Sequence, residues 1–150
     1  MNKIAGSLII NLVMSVILLQ FSSCKKTTTS TPASLLEQYF DANILGQVFI
    51  VNLATDHGMD LTNNYNGYTF KLVKTDYYHG PTEVKFGSNT YTGTWSANED
   101  YSKLIITLPS TPSLFVFLTR EWRFTSKNIP QLDLAPWGST DPIVLHILRQ

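Results

Sequence analysis

From Tyr68 onward the apolar side chains of this chain return at every second position, a rhythm that restricts the fold more than any other feature. Tyr68, Phe70 and Leu72 share one face and leave Thr69 and Lys71 on the other. Val84 and Phe86 alternate with Glu83 and Lys85, and Tyr91, Gly93 and Trp95 with Thr90, Thr92, Thr94 and Ser96. The rhythm continues through Leu104, Ile106 and Leu108, Trp122 and Phe124, Leu132 and Leu134, and Ile143, Leu145 and Ile147. Successive strand residues point to opposite faces, so this pattern describes antiparallel strands covered on one side. Turn signals separate the runs: Asn66-Gly67, Gly80-Pro81, Gly87-Ser88-Asn89, Ala97 to Asp100, Asn128 to Pro130 and Gly138 to Pro142. With a further strand over Gln47–Leu53 the count reaches about eight, at sandwich-or-barrel spacing. Short consecutive connections favour an up-and-down meander, and closing it removes the exposed edges. Gly93, facing inward between Tyr91 and Trp95, suits a sharply coiled strand. Ahead of the strands, Ser34 to Ala42 predicts a short helix with Ser34 as N-cap, Glu37 three residues on, and an apolar stripe of Leu35, Leu36, Tyr39 and Phe40.

The N-terminus follows different rules. Lys3 gives a positive start, and Ile4 to Leu19 is mostly Ile, Leu, Val and Met with polar interruptions at Ser7, Asn11 and Ser15. A membrane-crossing helix needs about 20 apolar residues. This stretch is shorter and runs at once into small residues, the pattern of a secretory signal. Ser22-Ser23-Cys24 resembles the bacterial lipobox, with bulky Phe21 in place of the usual Leu. Residues 1–23 are therefore expected to be a signal peptide, with Cys24 the lipid-modified first residue of the mature chain. Cys24 is the only cysteine, which excludes an intrachain disulfide and a multi-thiolate metal site. Residues 24–32 contain no large apolar side chain after Cys24 and read as a polar tether, leaving 33–150 as one β domain.

The charge balance argues against nucleic acid as a partner. Acidic and basic residues number 11 each, and the only adjacent basic pair, Lys25-Lys26, lies beside the anchor rather than on a folded face. The mature chain is of single-domain length and can bury a core without disulfides or metal.

Order and spacing of motifs over Phe49 to Arg149 resemble a group of small lipocalin-like lipoproteins of Bacteroidota-type bacteria, a family of unknown function. The carrying residues are Asp56-x-Gly58-x-Asp60-x-Thr62, Gly67-Tyr68-Thr69-Phe70, Thr92-Gly93-Thr94-Trp95-Ser96, Glu121-Trp122-Arg123-Phe124, Leu132-x-Leu134 and Leu145-x-Ile147. The resemblance implies a lipocalin-like barrel and brings no catalytic or ligand residues with it. Leu114 to Leu118 is more apolar, and Leu148 less polar, than that group's pattern. Absence of Asp just after the cysteine resembles outer-membrane sorting in such bacteria, and absence of an acidic export cluster points to the periplasmic face.

Candidate sites are few. The loop of Asp56, Asp60, Thr62, Asn63 and Asn64 is rich in oxygen but lacks EF-hand spacing and its distal Glu, so it reads as a solvated turn. His57, His79 and His146 show no metal-ligand spacing, and no nucleophile elbow, Walker loop or dinucleotide fingerprint occurs. The expectation is a protein without catalytic residues, metal or cofactor. Tyr77 and Tyr78 before Gly80-Pro81, and Trp137 in its Ala-Pro-Trp-Gly loop, are candidate contacts for a ligand or partner, since loop aromatics offer much area for little entropy. Phe115 and Phe117 join them from the run Leu114–Leu118, which reads as a buried strand, a plug in the barrel mouth or a contact patch. The expected role is a lipid-anchored envelope module holding a small apolar ligand, or alternatively an accessory subunit on an envelope protein complex.

Overall fold

Ser34 opens the first element as expected. Its hydroxyl accepts from the Glu37 amide at 3.1 Å while the Glu37 carboxylate accepts from the Ser34 amide, a reciprocal capping box that starts helix α1, Leu35–Asn43. The computed structural model describes residues 32–150, and Ala33–Gln150 form one compact unit. The expected signal peptide, Cys24 and the expected tether up to residue 31 lie outside the described residues.

Nine strands follow: β1 Val48–Asp56, β2 Met59–Asp60, β3 Tyr68–Leu72, β4 His79–Phe86, β5 Asn89–Ala97, β6 Lys103–Thr107, β7 Arg120–Ser126, β8 Gln131–Pro136 and β9 Ile143–Arg149. All pairings are antiparallel, neighbours in sequence pair from β3 to β9, and β9 returns to β1. Eight strands thus close a meander barrel, as the alternation predicts, and β2 is a two-residue flap on β1.

β1 runs past the expected Leu53 to Asp56 because of one irregularity. Register slips between Val51 and Leu53, so Asn52 is the extra residue of a bulge. Inward positions are Phe49 and Val51 before it and Ala54 after it, a phase change that period-two reading takes for the strand's end. Beyond Asp56 the chain reverses through His57 (φ 49°) and Gly58 (φ 83°), a two-residue hairpin of the left-handed kind whose twist matches its strands. β1 pairs with β3 over only Val48 and Phe49. The rest of that seam is sealed locally: the Ala54 amide donates to Thr62 Oγ1 at 3.0 Å, and the Leu61 amide donates to the Ala54 carbonyl at 2.8 Å. Thr62 heads a 3-10 turn, Thr62–Tyr65, that carries the buried Tyr65.

The core lies inside the barrel. Trp95, Trp122, Val84, Leu104, Leu132, Leu134 and Leu145 are buried at positions that the alternation places inward, and Phe49 of β1 joins them. The N–H groups of the two core tryptophans are also used. Trp95 donates to the Val73 carbonyl at 2.7 Å, and Trp122 to the Leu118 carbonyl at 3.0 Å, so each indole ties a barrel wall to a connecting loop.

Candidate functional site

The barrel has two differently built ends and a small interior space. At one end, α1 covers the mouth. Phe40 stacks on Tyr101 at a centroid distance of 4.2 Å, meets Phe124 edge-on at 6.2 Å, and lies 6.1 Å from Trp95. Three polar contacts hold the helix to the surrounding loops. The Tyr78 hydroxyl donates to Glu37 Oε1 at 2.5 Å, Lys74 Nζ is 2.9 Å from Asp41, and the Tyr39 hydroxyl donates to the Lys127 carbonyl at 2.8 Å. The Tyr78 bond holds the Glu37 carboxyl below its ordinary range and pushes the Tyr78 phenol up to about 12. The pair's contribution to stability is therefore full from above the ordinary carboxylate range to about pH 10, is lost between there and about 12 as the folded phenol ionises, and is lost on the acid side as the lowered Glu37 carboxyl takes up its proton.

The opposite end is closed by the β6–β7 connection. Its Phe115–Leu118 segment forms a single helical turn, α2, with Phe115, Phe117 and Leu118 buried and Val116 62% exposed. The buried-strand alternative for this run is thus replaced by the plug. A strand would send adjacent side chains to opposite faces, whereas this turn sends three of four inward. Phe115 meets Tyr68 and Tyr91 edge-on at 5.9 and 5.2 Å, Phe117 lies 5.8 Å from Trp122, and the Tyr65 hydroxyl donates to the Leu114 carbonyl at 2.8 Å.

Between the two closures lies a cavity of about 40 Å³, lined by Phe49, Phe70, Leu104, Ile106, Leu145 and Ile147 with their neighbours. Lys71 and Thr82 are the polar residues on its lining. Thr82, 1% exposed, leaves its Oγ1 without a hydrogen-bond partner. An unpaired buried hydroxyl costs about 1–3 kcal/mol in protein mutational data. Thr82→Val, which keeps the shape and removes the hydroxyl, should raise stability by about 1 kcal/mol in denaturant titration of the purified protein. A fall of that size instead would mean that something in the barrel already bonds to Thr82.

The aromatic candidates separate on this framework. Phe115 and Phe117 are core residues of the plug, and the burial that makes them good packing removes them from contact with anything outside. Tyr78 is half-buried, stacked on Tyr101 at 5.6 Å and bonded to Glu37, so it serves the helix closure. Tyr77 is half-buried beneath Lys74 Nζ, 3.9 Å above its ring. Trp137 is 39% exposed, with Lys103 Nζ 5.3 Å over its ring. Sequence reading passed over Tyr65 and Tyr101, both buried. Neither lies in an alternating run, and Tyr101 sits at φ 50° in a turn where a bulky residue is unusual.

Histidines do not gather. His57 contacts Asp56, His79 contacts Asp76, and His146 stands 3.7 Å from Asp133 on the outer wall. Among the described residues no group of His, Cys, Asp and Glu has the arrangement of a metal site, and no helix is long and apolar enough to cross a membrane. The Asp56–Asn64 loop is occupied with its own backbone: Asp60 Oδ1 accepts from the Thr62 amide at 2.8 Å.

Exposed large apolar side chains come from the ends. Leu35, Leu36, Tyr39 and Val48 belong to the helix-covered end. Met59 and Val116 (66% and 62% exposed), with Phe86, belong to the plugged end, where the connection bearing Trp137 also leaves the barrel. Comparison with family models, curated proteins and solved structures finds no match for the chain.

Proposed function

We propose that this chain is a lipid-anchored lipoprotein of the cell envelope, held at the outer membrane on its periplasmic side, whose barrel is a filled scaffold presenting its plugged end to an envelope protein partner. The observation that carries the partner role is the contrast between inside and outside. A cavity of about 40 Å³ is far below the roughly 300 Å³ at which ligand pockets start, while Met59, Phe86 and Val116 stand exposed at the plugged end. A second reading, a small apolar ligand inside the barrel, draws support from the apolar lining and the unpartnered Thr82 hydroxyl. It requires the plug or the walls to give way.

The anchor rests on Cys24 and the residues before it. Two or more acyl chains hold a protein stably where one is marginal. Cys24→Ala is expected to abolish acyl labelling of the chain, and globomycin to leave a longer, uncleaved precursor; a parent chain that takes no acyl label, or whose size globomycin does not change, would end the lipoprotein reading. Native mass spectrometry of protein drawn from its own envelope separates the two roles. A stoichiometric protein partner, lost in Val116→Glu, fits the scaffold reading, and a retained apolar small molecule fits the ligand reading.

A further inference from the structure

We infer that the first turn of α1 is a membrane-contact surface, with Leu35 and Leu36 entering the head-group region of a neutral bilayer beside the lipidated Cys24. The inference rests on the anchor reading above and adds an orientation to it. Leu35 is 83% and Leu36 50% exposed, although a capped, ordered helix presents them. Tyr39, 38% exposed, lies three and four residues on, which makes the three side chains one patch on the helix surface. Its hydroxyl is held by the Lys127 carbonyl, so its ring stands at the edge of that patch, the position an amphipathic aromatic takes at a membrane interface.

Chain length decides what reaches this patch. Eleven peptide units separate Cys24 from Leu35, so the helix start can stand no more than about 40 Å from the cysteine. A domain of this size is roughly 30–35 Å across. The helix end is therefore confined near the bilayer at high effective concentration, while the plugged end lies a domain's width further away. Charge selects the kind of surface. On the folded surface Glu37 is engaged by Tyr78 and Asp41 by Lys74, and Lys127 is outnumbered by Asp76 and Asp100 in loops of the same end, so that surface adds no attraction for an acidic bilayer to the one Lys25-Lys26 brings beside the anchor. Apolar insertion into zwitterionic lipid remains, with the helix lying in the interface plane.

The test uses the processed, full-length lipoprotein in phosphatidylcholine vesicles with brominated acyl chains, which quench tryptophan on contact. Leu36→Trp places a reporter at an exposed helix position, and Val116→Trp places one at the plugged end. Co-flotation with the vesicles, with the emission that Leu36→Trp adds over the parent chain falling about twofold and that added by Val116→Trp unchanged, is the expected result. Co-flotation with neither reporter quenched would overturn the docking surface and leave the anchor standing. Quenching at Val116→Trp alone would overturn it by reversing the orientation. Failure to float would remove the anchor reading and this inference with it.

Discussion

Gly93→Ala should destabilise the barrel by about 3 kcal/mol or more, enough to leave a marginal domain largely unfolded. A Cβ at this position would stand 2.0 Å from the Thr107 carbonyl oxygen and 3.0 Å from the Leu108 Cα. Both are backbone atoms, so no side-chain rotation relieves the clash. The reason lies in the sheet. β5 and β6 pair from Ala97–Leu104 to Thr94–Thr107, and just beyond that last pair the chain after β6 crosses the inward face at Gly93 on its way to the plug. Room for the crossing exists because one inward position has no side chain. Gly80 repeats the device at the helix end: its Cβ would meet the Val73 carbonyl oxygen at 2.0 Å, the atom that accepts from Trp95. Gly87→Ala is the matched control, since its Cβ meets nothing within 4 Å and its cost is confined to a positive φ of 57°. Urea unfolding of the three proteins checks the ranking. Equal midpoints for Gly93→Ala and the parent would mean that the crossing is not tight.

The alternation made most of this wall readable. Inward assignments of Trp95, Leu104, Trp122, Leu132, Leu134 and Leu145 agree with their burial because each lies in an unbroken stretch of alternation; in β7 the register slips only after Phe124. Phe86 is the exception: it holds the inward phase but is 41% exposed, because β4 ends there and the ring stacks on Tyr68 at 4.4 Å instead of entering the core. Asn52 hid the second half of β1, since a bulge looks in sequence like the end of an alternating run. Leu114–Leu118 was legible as apolar and not as a helix, because a single turn is shorter than the period needed to declare one. The closures were hardest to see. Tyr65 and Tyr101 fill the two mouths from a 3-10 turn and a loop, where burial follows from long-range packing and leaves no local periodicity.

A filled interior changes where function has to be sought. In a barrel with an open cavity the walls select a ligand, and the ends are gates. Here the ends are packed, and apolar exposure is displaced onto them, so the wall serves to hold two surfaces a fixed distance apart. In the proposed role the helix-covered end and the plugged end are separate: one would face the anchor, the other the partner.

That separation depends on α1 staying seated, and Phe40 is the residue that seats it. Phe40→Ala should cost about 3–5 kcal/mol, because it removes a ring 1% exposed whose neighbours, Tyr101, Trp95 and Phe124, belong to different strands and loops and cannot collapse together into the gap. Leu36→Ala on the same helix, at a half-exposed position, should change stability by less than about 0.5 kcal/mol. Hydrogen exchange distinguishes a local from a global effect. If Phe40 mainly holds the helix, amides of Leu35–Asn43 lose protection in Phe40→Ala before those of β5 and β7 do. If all lose it together, the helix is part of the barrel's single cooperative unit. An unchanged denaturation midpoint in Phe40→Ala would show that the helix closure contributes nothing to the fold, and the fixed separation of the two ends would have to be abandoned.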